Sequence, residues 1–143
     1  MDIGKFHVLL VHFPIALVLA AGAADLLWLI TRRTVFRSAG AYCLAAALLS
    51  APVTVWTGWE HLEETRWSGP YADIAEDHED AGFVTLGLVV GAAGARLAWH
   101  RWPGRWLAVV YGVLIMAAVA SVSWTGSLGG ELTHGQDYLS GAL

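Results

Sequence analysis

Charged residues are scarce in this sequence: they make up 14% of its 143 residues, against about 25% in a typical soluble domain. Hydrophobic residues make up 57%, which argues against a soluble globular protein and against a disordered chain. A surplus of basic residues is lacking too, and the formal net charge of -4 excludes a nucleic-acid binder that works through a basic surface. The composition predicts a small integral membrane protein in a lipid bilayer.

Cysteine is nearly absent. The single Cys43 can form neither an intrachain disulfide nor a Cys-x-x-Cys-His motif, which excludes a covalently attached c-type haem at a standard site. A phosphate-binding glycine loop and a convincing Ser–His–Asp arrangement are also missing from the sequence. We therefore expect an electron carrier or a binding protein rather than an enzyme.

Four apolar stretches each approach the ~20 residues that cross a hydrocarbon core, and in lipid such stretches must be helical. They run from about Val8 to Ile30, Ala39 to Trp59, Ala81 to Trp99 and Trp106 to Thr125. Short connections at 31–38 and 100–105 make neighbouring helices antiparallel, and the long connection at 60–80 is rich in acid. The sequence predicts an all-α membrane protein, a four-transmembrane-helix antiparallel bundle, with residues 1–143 as one domain.

Basic residues are distributed unequally between the two ends of this bundle. Those that flank the short connections are Arg32, Arg33, Arg37, Arg96, Arg101 and Arg105. Lys5 and Arg66 are the two basic residues at the other end. By the positive-inside rule, we expect the short connections to be cytoplasmic and both termini to face outward.

Two similar tetrapeptides at the ends of the second and fourth spans suggest an internal repeat. Val-Trp-Thr-Gly at 55–58 and Ser-Trp-Thr-Gly at 123–126 are offset by 68 residues. The two helix pairs would then be parallel copies, related by an axis near the membrane normal. The same offset aligns His12 with position 80, close to His78. Chance agreement in a Trp-rich chain is the alternative.

Histidines at the outward end are the candidate ligands of a metal or cofactor: His7, His12, His61, His78 and His134. His12 is the sharpest candidate, because it lies inside an apolar run and a titratable group in a span is a functional candidate by default. Its neutral imidazole needs a hydrogen-bond partner or a metal. A structural histidine bonded to a neighbouring helix is the alternative.

The repeat favours His12 and His78 as one ligand pair, and His7 with His134 is the second pair considered. His78 stands in an acidic stretch, so a solvated helix start is its alternative. Glycines before His134 are predicted to let the tail fold back over the bundle toward the other histidines. His61 is interpreted as a surface residue, and His100, at the inward end, as an interfacial one.

Residues 7–17, His-Val-Leu-Leu-Val-His-Phe-Pro-Ile-Ala-Leu, resemble the start of the bacterial DUF2231 predicted membrane proteins, which typically begin His-Pro-x-x-Val-His-Phe-Pro-Ile-Ala. Residues 129–135, Gly-Gly-Glu-Leu-Thr-His-Gly, are similar to that family's closing Gly-Gly-x-Leu-Val-…-His-Gly. Val8 replaces the usual Pro, and the tail is shorter between Leu132 and His134. The resemblance spans the chain and implies a multi-pass protein of the bacterial inner membrane, with a role beside cytochromes or respiratory enzymes. In such a membrane the outward-facing termini expected from the arginines would be periplasmic.

The leading functional hypothesis is a b-type haem protein. Four-helix bundles build cofactor sites from facing side chains, and haem b needs axial ligands, often histidine, which the pairs above would supply. Electrons would pass to a periplasmic cytochrome, a quinone or a larger respiratory complex. Because the inward end offers only His100, we do not expect an electron wire across the membrane within this chain.

Two alternatives remain open. Copper or zinc binding by His12, His78, His7 and His134 is the first, since clustered imidazoles suit either metal. The presence of only two methionines argues against copper uptake. The second is a cofactor-free structural or assembly subunit, because Gly87 and Gly91 permit close packing of helices within one bundle or in an oligomer.

Overall fold

The chain folds as an all-helical bundle, as predicted. The computed structural model describes residues 3–65 and 67–135. Its helices are α1 (Ile3–Leu10), α2 (His12–Thr31), α3 (Thr34–Glu64), α4 (Pro70–Arg101) and α5 (Arg105–His134). The segments long and apolar enough to cross a membrane are Phe6–Thr31, Thr34–Glu63, Pro70–Arg101 and Arg105–His134. The protein is an integral membrane protein with four candidate spans.

The first span is interrupted at Val11, between α1 and α2. Val11 itself keeps helical backbone angles, and Pro14 loosens the turn because it has no N–H to bond to that turn and its ring crowds it. The backbone bond from Ile15 N to Val11 O is stretched to 3.5 Å, whereas Val11 N lies 2.8 Å from His7 O. On the N-terminal side of Val11, α1 packs mainly against α3. This packing places His7 over the last turns of α3.

Two predictions about the ends of the helices are wrong. The connection expected at 60–80 is shorter, because α3 continues to Glu64 and α4 begins at Pro70. Pro70 suits the first turn of a helix, where its missing N–H is not needed, and Asp73 there complements the helix dipole. The expected fold-back before His134 is also absent, because α5 stays helical through the glycines at 129–130.

The helices alternate in direction around the bundle. α2 packs on α3 and α4 packs on α5, and contacts between α3 and α4 and between α2 and α5 close the structure. The connections at 32–33 and 102–104 lie at one end, the short-loop end. The connection at 65–69 lies at the other, the long-loop end; Arg66, used above to orient the bundle, lies outside the described residues.

The two halves of the chain are equivalent at an offset of 71 residues, not at the predicted 68. Residues buried to 4% exposure or less recur at this spacing: Val18 with Val89, Ala21 with Ala92, Leu44 with Ile115, and Ala47 with Ala118. The tetrapeptides at 55–58 and 123–126 are three residues out of this register. The parallel two-helix repeat is therefore present, but it makes His7, not His12, the equivalent of His78.

Candidate functional site

Two imidazole rings meet at the long-loop end of the bundle. His7 on α1 and His78 on α4 have ring centroids 6.3 Å apart, with ring planes inclined at 78°. Both side chains are partly buried. They are also equivalent residues of the two halves, so the pair lies across the axis that relates the repeats.

Each ring is held by a backbone carbonyl from the neighbouring helix. Nδ1 of His7 lies 3.0 Å from the carbonyl oxygen of Thr54, and Nδ1 of His78 lies 3.0 Å from that of Thr125. A carbonyl oxygen only accepts, so Nδ1–H is the donor in each bond and Nε2 of the neutral ring keeps its lone pair. A donated Nδ1–H is the usual support of a metal-binding histidine, because it fixes the tautomer and the ring orientation.

Glycines on α3 and α5 allow the rings to approach these helices. A Cβ added at Gly58 would lie 2.8 Å from Cε1 of His7, and one at Gly129 would lie 3.1 Å from Cε1 of His78. Each glycine follows the carbonyl-bearing threonine by one helical turn. The same three residue types, His, Thr and Gly, thus build both half-sites at the 71-residue offset.

An apolar cavity of about 650 Å³, counted to its open mouth, lies between the helices at this end. Ligand sites are mostly apolar with a few placed polar groups, and this cavity has that character. The carboxylate side chain at its wall is that of Glu79. The wall includes His7, His78, Pro14, Ala51, Trp59, Gly82 and Phe83.

His12 does not face this cavity. It is the first residue of α2, its side chain is exposed, and it is not part of the cavity wall. His7 and His12 are five positions apart, which turns the helix by about 140°, so only one of the two can face the axis. The structure therefore does not bring His12 beside His78, and the ring that lies beside His78 is that of His7.

The remaining histidines lie at helix ends. His134 is exposed at the end of α5, where its Nδ1 lies 3.2 Å from the carbonyl oxygen of Gly130. The predicted pairing of His7 with His134 is replaced by the contact of His7 with His78. His61 is half-buried in the last turn of α3, and His100 is exposed near the short-loop end.

A polar cluster that was not predicted from the sequence joins four helices toward the short-loop end of the bundle. Nη1 of Arg96 on α4 lies 2.7 Å from Oδ2 of Asp25 on α2. The hydroxyl of Tyr111 on α5 bonds to Asp25 and accepts from Arg96. Nη2 of Arg96 donates to the carbonyl of Arg37 on α3 at 2.6 Å. Arg96 thus neutralises a buried carboxylate and is not a free charge flanking a short connection.

The correct offset was readable from single residues rather than from the tetrapeptides. His7, Trp28 and Thr54 each have an identical residue 71 positions later. The adjacent identities of the two tetrapeptides are three residues out of this register. Identities spaced along the whole repeat would have paired His7 with His78 and Asp25 with Arg96.

One comparison identifies the family. The model of the family described as "Predicted membrane protein (DUF2231)" matches residues 5–137. The chain belongs to this family, as its opening and closing motifs indicate. No match to the chain is found among curated proteins or among solved structures.

Proposed function

We propose that this DUF2231 protein binds haem b between His7 and His78 and transfers electrons at the long-loop end of the bundle. The observation that carries the proposal is the pair of equivalent imidazoles. Each is held through Nδ1 by a backbone carbonyl, and each keeps the Nε2 lone pair for a metal.

The spacing of the rings supports one metal between them. Two imidazoles on opposite sides of a metal, with metal–nitrogen bonds of about 2 Å, have ring centres about 6 Å apart. The centroids of His7 and His78 are 6.3 Å apart. The imidazoles of His7 and His78 would hold the iron of haem b, whose other ligands the porphyrin would supply.

The walls of the cavity suit an apolar macrocycle. Small residues such as Ala51 and Gly82 leave space between the helices, and Trp59 and Phe83 offer aromatic surface. Bound haem b would supply one-electron chemistry between ferric and ferrous iron. His7 and His78 would hold the iron, the apolar wall would exclude water, and the carbonyls of Thr54 and Thr125 would fix the ring orientations.

The end of the bundle at which the His7–His78 pair lies limits which electron-transfer partners can reach it. The His7–His78 pair lies at the long-loop end, and the arginines cluster at the short-loop end. The positive-inside rule then gives periplasmic termini in a bacterial inner membrane. We propose electron exchange with a periplasmic cytochrome, with quinone from the bilayer or with a larger respiratory complex. Conduction across the membrane within one chain does not fit a single site at one end.

A copper or zinc site on the same imidazoles is the second candidate, and one observation favours it. Glu79 lies in the cavity wall, and further acidic side chains surround the long-loop end, where they would attract cations and disfavour haem propionates. Zinc sites use three or four protein ligands. Within residues 3–65 and 67–135, no group of three His, Cys, Asp or Glu side chains is arranged to hold a metal ion. The two imidazoles of His7 and His78 therefore suit haem iron, which needs two protein ligands, better than they suit zinc.

Purified protein from haem-replete cells decides between these candidates. The proposal predicts a Soret band and about one haem per chain by extraction, with copper and zinc far below one per chain by elemental analysis. Stoichiometric copper or zinc without haem would favour the second candidate. Protein without haem or metal, and with a co-purifying membrane partner, would favour the cofactor-free assembly subunit and overturn the proposal.

A further inference from the structure

A second cavity opens between α3 and α4 at the short-loop end, away from the histidine pair. This α3–α4 groove measures about 1280 Å³, counted to its open face. Its short-loop end is lined by Arg37, Ser38, Trp99 and His100, and its deeper part by alanine and leucine such as Ala45 and Leu48. The groove is therefore basic at its short-loop end, near the membrane surface, and apolar in its deeper part.

The length of the groove matches one leaflet. Arg37 and Leu48 lie eleven residues apart on α3, which is about 16 Å at 1.5 Å per residue. Half of a ~30 Å hydrocarbon core is about 15 Å. An acyl chain of a lipid in the leaflet at the short-loop end would span this distance, and its headgroup would lie beside Arg37.

The charge of Arg37 is held in place and is not neutralised. Its Cζ lies 5.6 Å from the ring centroid of Trp28 and 5.1 Å from that of Trp99. Among the described residues no carboxylate lies within 4 Å of its guanidinium. Arg96 beside it is already paired with Asp25, so Arg37 and His100 are the groups left for an anion.

The equivalent groove in the other half keeps a tryptophan, Trp28 for Trp99, but differs at the positions that would meet a lipid. At the 71-residue offset, Ala108 replaces Arg37, Leu29 replaces His100 and Met116 replaces Ala45. Val119 also closes on Gly22 there: a Cβ on that glycine would lie 2.8 Å from Cγ2 of Val119. The α3–α4 groove thus has Arg37 and His100 at its short-loop end, where its equivalent has Ala108 and Leu29. A general excess of arginine at this end does not explain that difference, since both grooves lie at the same depth.

We propose that the α3–α4 groove binds an anionic phospholipid of the leaflet at the short-loop end, with its phosphate at Arg37 and one acyl chain along Ala45 and Leu48. Basic pockets between spans on the cytoplasmic side are known binding places of anionic headgroups. This site does not depend on haem or metal at the other end.

Native mass spectrometry of the detergent-purified chain tests the site. Phosphatidylglycerol and phosphatidylethanolamine with identical acyl chains are added separately, and one bound phosphatidylglycerol per chain is expected in preference. Arg37→Ala, which copies Ala108, should lower its affinity about fivefold. Arg101→Ala removes a nearby exposed arginine outside the groove and should leave the affinity unchanged.

A second variant leaves every charge in place. Ala45→Met copies Met116 of the equivalent groove, fills the acyl-chain space and should also lower the affinity for phosphatidylglycerol. Equal binding of the two lipids by the unmodified chain would overturn the proposal, and so would unchanged preference in either groove variant. Displacement of the lipid by ubiquinone at equal concentration would assign the groove to quinone and equally overturn it.

Discussion

Asp25 and Arg96 are equivalent residues of the two halves, 71 positions apart, and they form an ion pair with each other. A twofold repeat with identical halves would bring two like charges together here. The chain instead has one acid and one base across the axis. Around them, Gly40 in one half leaves room for the carboxylate of Asp25, while its equivalent Tyr111 in the other half bonds to both charges.

Removal of one charge of the Asp25–Arg96 pair should therefore lower the free energy of unfolding far more than removal of both. Asp25→Asn or Arg96→Gln alone should each lower the free energy of unfolding by about 3–5 kcal/mol, because an unpaired buried charge remains. The double variant Asp25→Asn/Arg96→Gln should recover most of that loss. Equilibrium unfolding in mixed micelles measures the difference. Equal losses in the single and double variants would show that the hydrogen bonds, not the charge balance, matter.

The glycines that admit the imidazoles offer a test of the ring supports. Gly58→Ala should push His7 away from the carbonyl of Thr54, and loss of such a support typically costs about 10–100-fold in metal affinity. Gly129→Ala should weaken binding less, because its added Cβ meets His78 at 3.1 Å rather than 2.8 Å. Haem retention during titration with apomyoglobin measures both.

Gly87→Ala is the matched control for these two variants. Gly87 lies on α4 in the membrane, and a Cβ there would meet nothing within 4 Å. Alanine is a better helix former than glycine, so all three variants should remain folded. Equal haem retention by Gly58→Ala and Gly87→Ala would show that the bond between His7 and the carbonyl of Thr54 does not contribute to haem binding.

Hydropathy and span length predicted the four-span antiparallel bundle, because lipid imposes helices on any long apolar stretch. Hydropathy could not predict that the polar ends are helical, since Pro70 and the acidic residues after it start α4 outside the apolar run. The candidate site was half predicted: His7 and His78 were both named, but His7 was paired elsewhere. The packing of α1 against α3 decides which histidine faces the axis, and apolarity of the neighbours does not encode that direction.

Orientation in the membrane is a prediction from charge alone. A reporter enzyme that is active only in the periplasm should give a signal when fused after Leu143 and none when fused after Pro103, in the connection at the short-loop end. A reporter active only in the cytoplasm should give the reverse pattern. Signals opposite to these would place the His7–His78 pair on the cytoplasmic side and exclude periplasmic partners.

The visible spectrum of three matched histidine variants tests the central claim most directly. His7→Ala, His78→Ala and His12→Ala are purified from haem-replete cells and compared with the unmodified chain at equal protein concentration. The account predicts a six-coordinate low-spin spectrum in the unmodified chain and in His12→Ala. His7→Ala and His78→Ala should each show a high-spin spectrum or no haem, because each removes one axial nitrogen. Haem that persists unchanged in His7→Ala and His78→Ala, or that is lost only in His12→Ala, would contradict it.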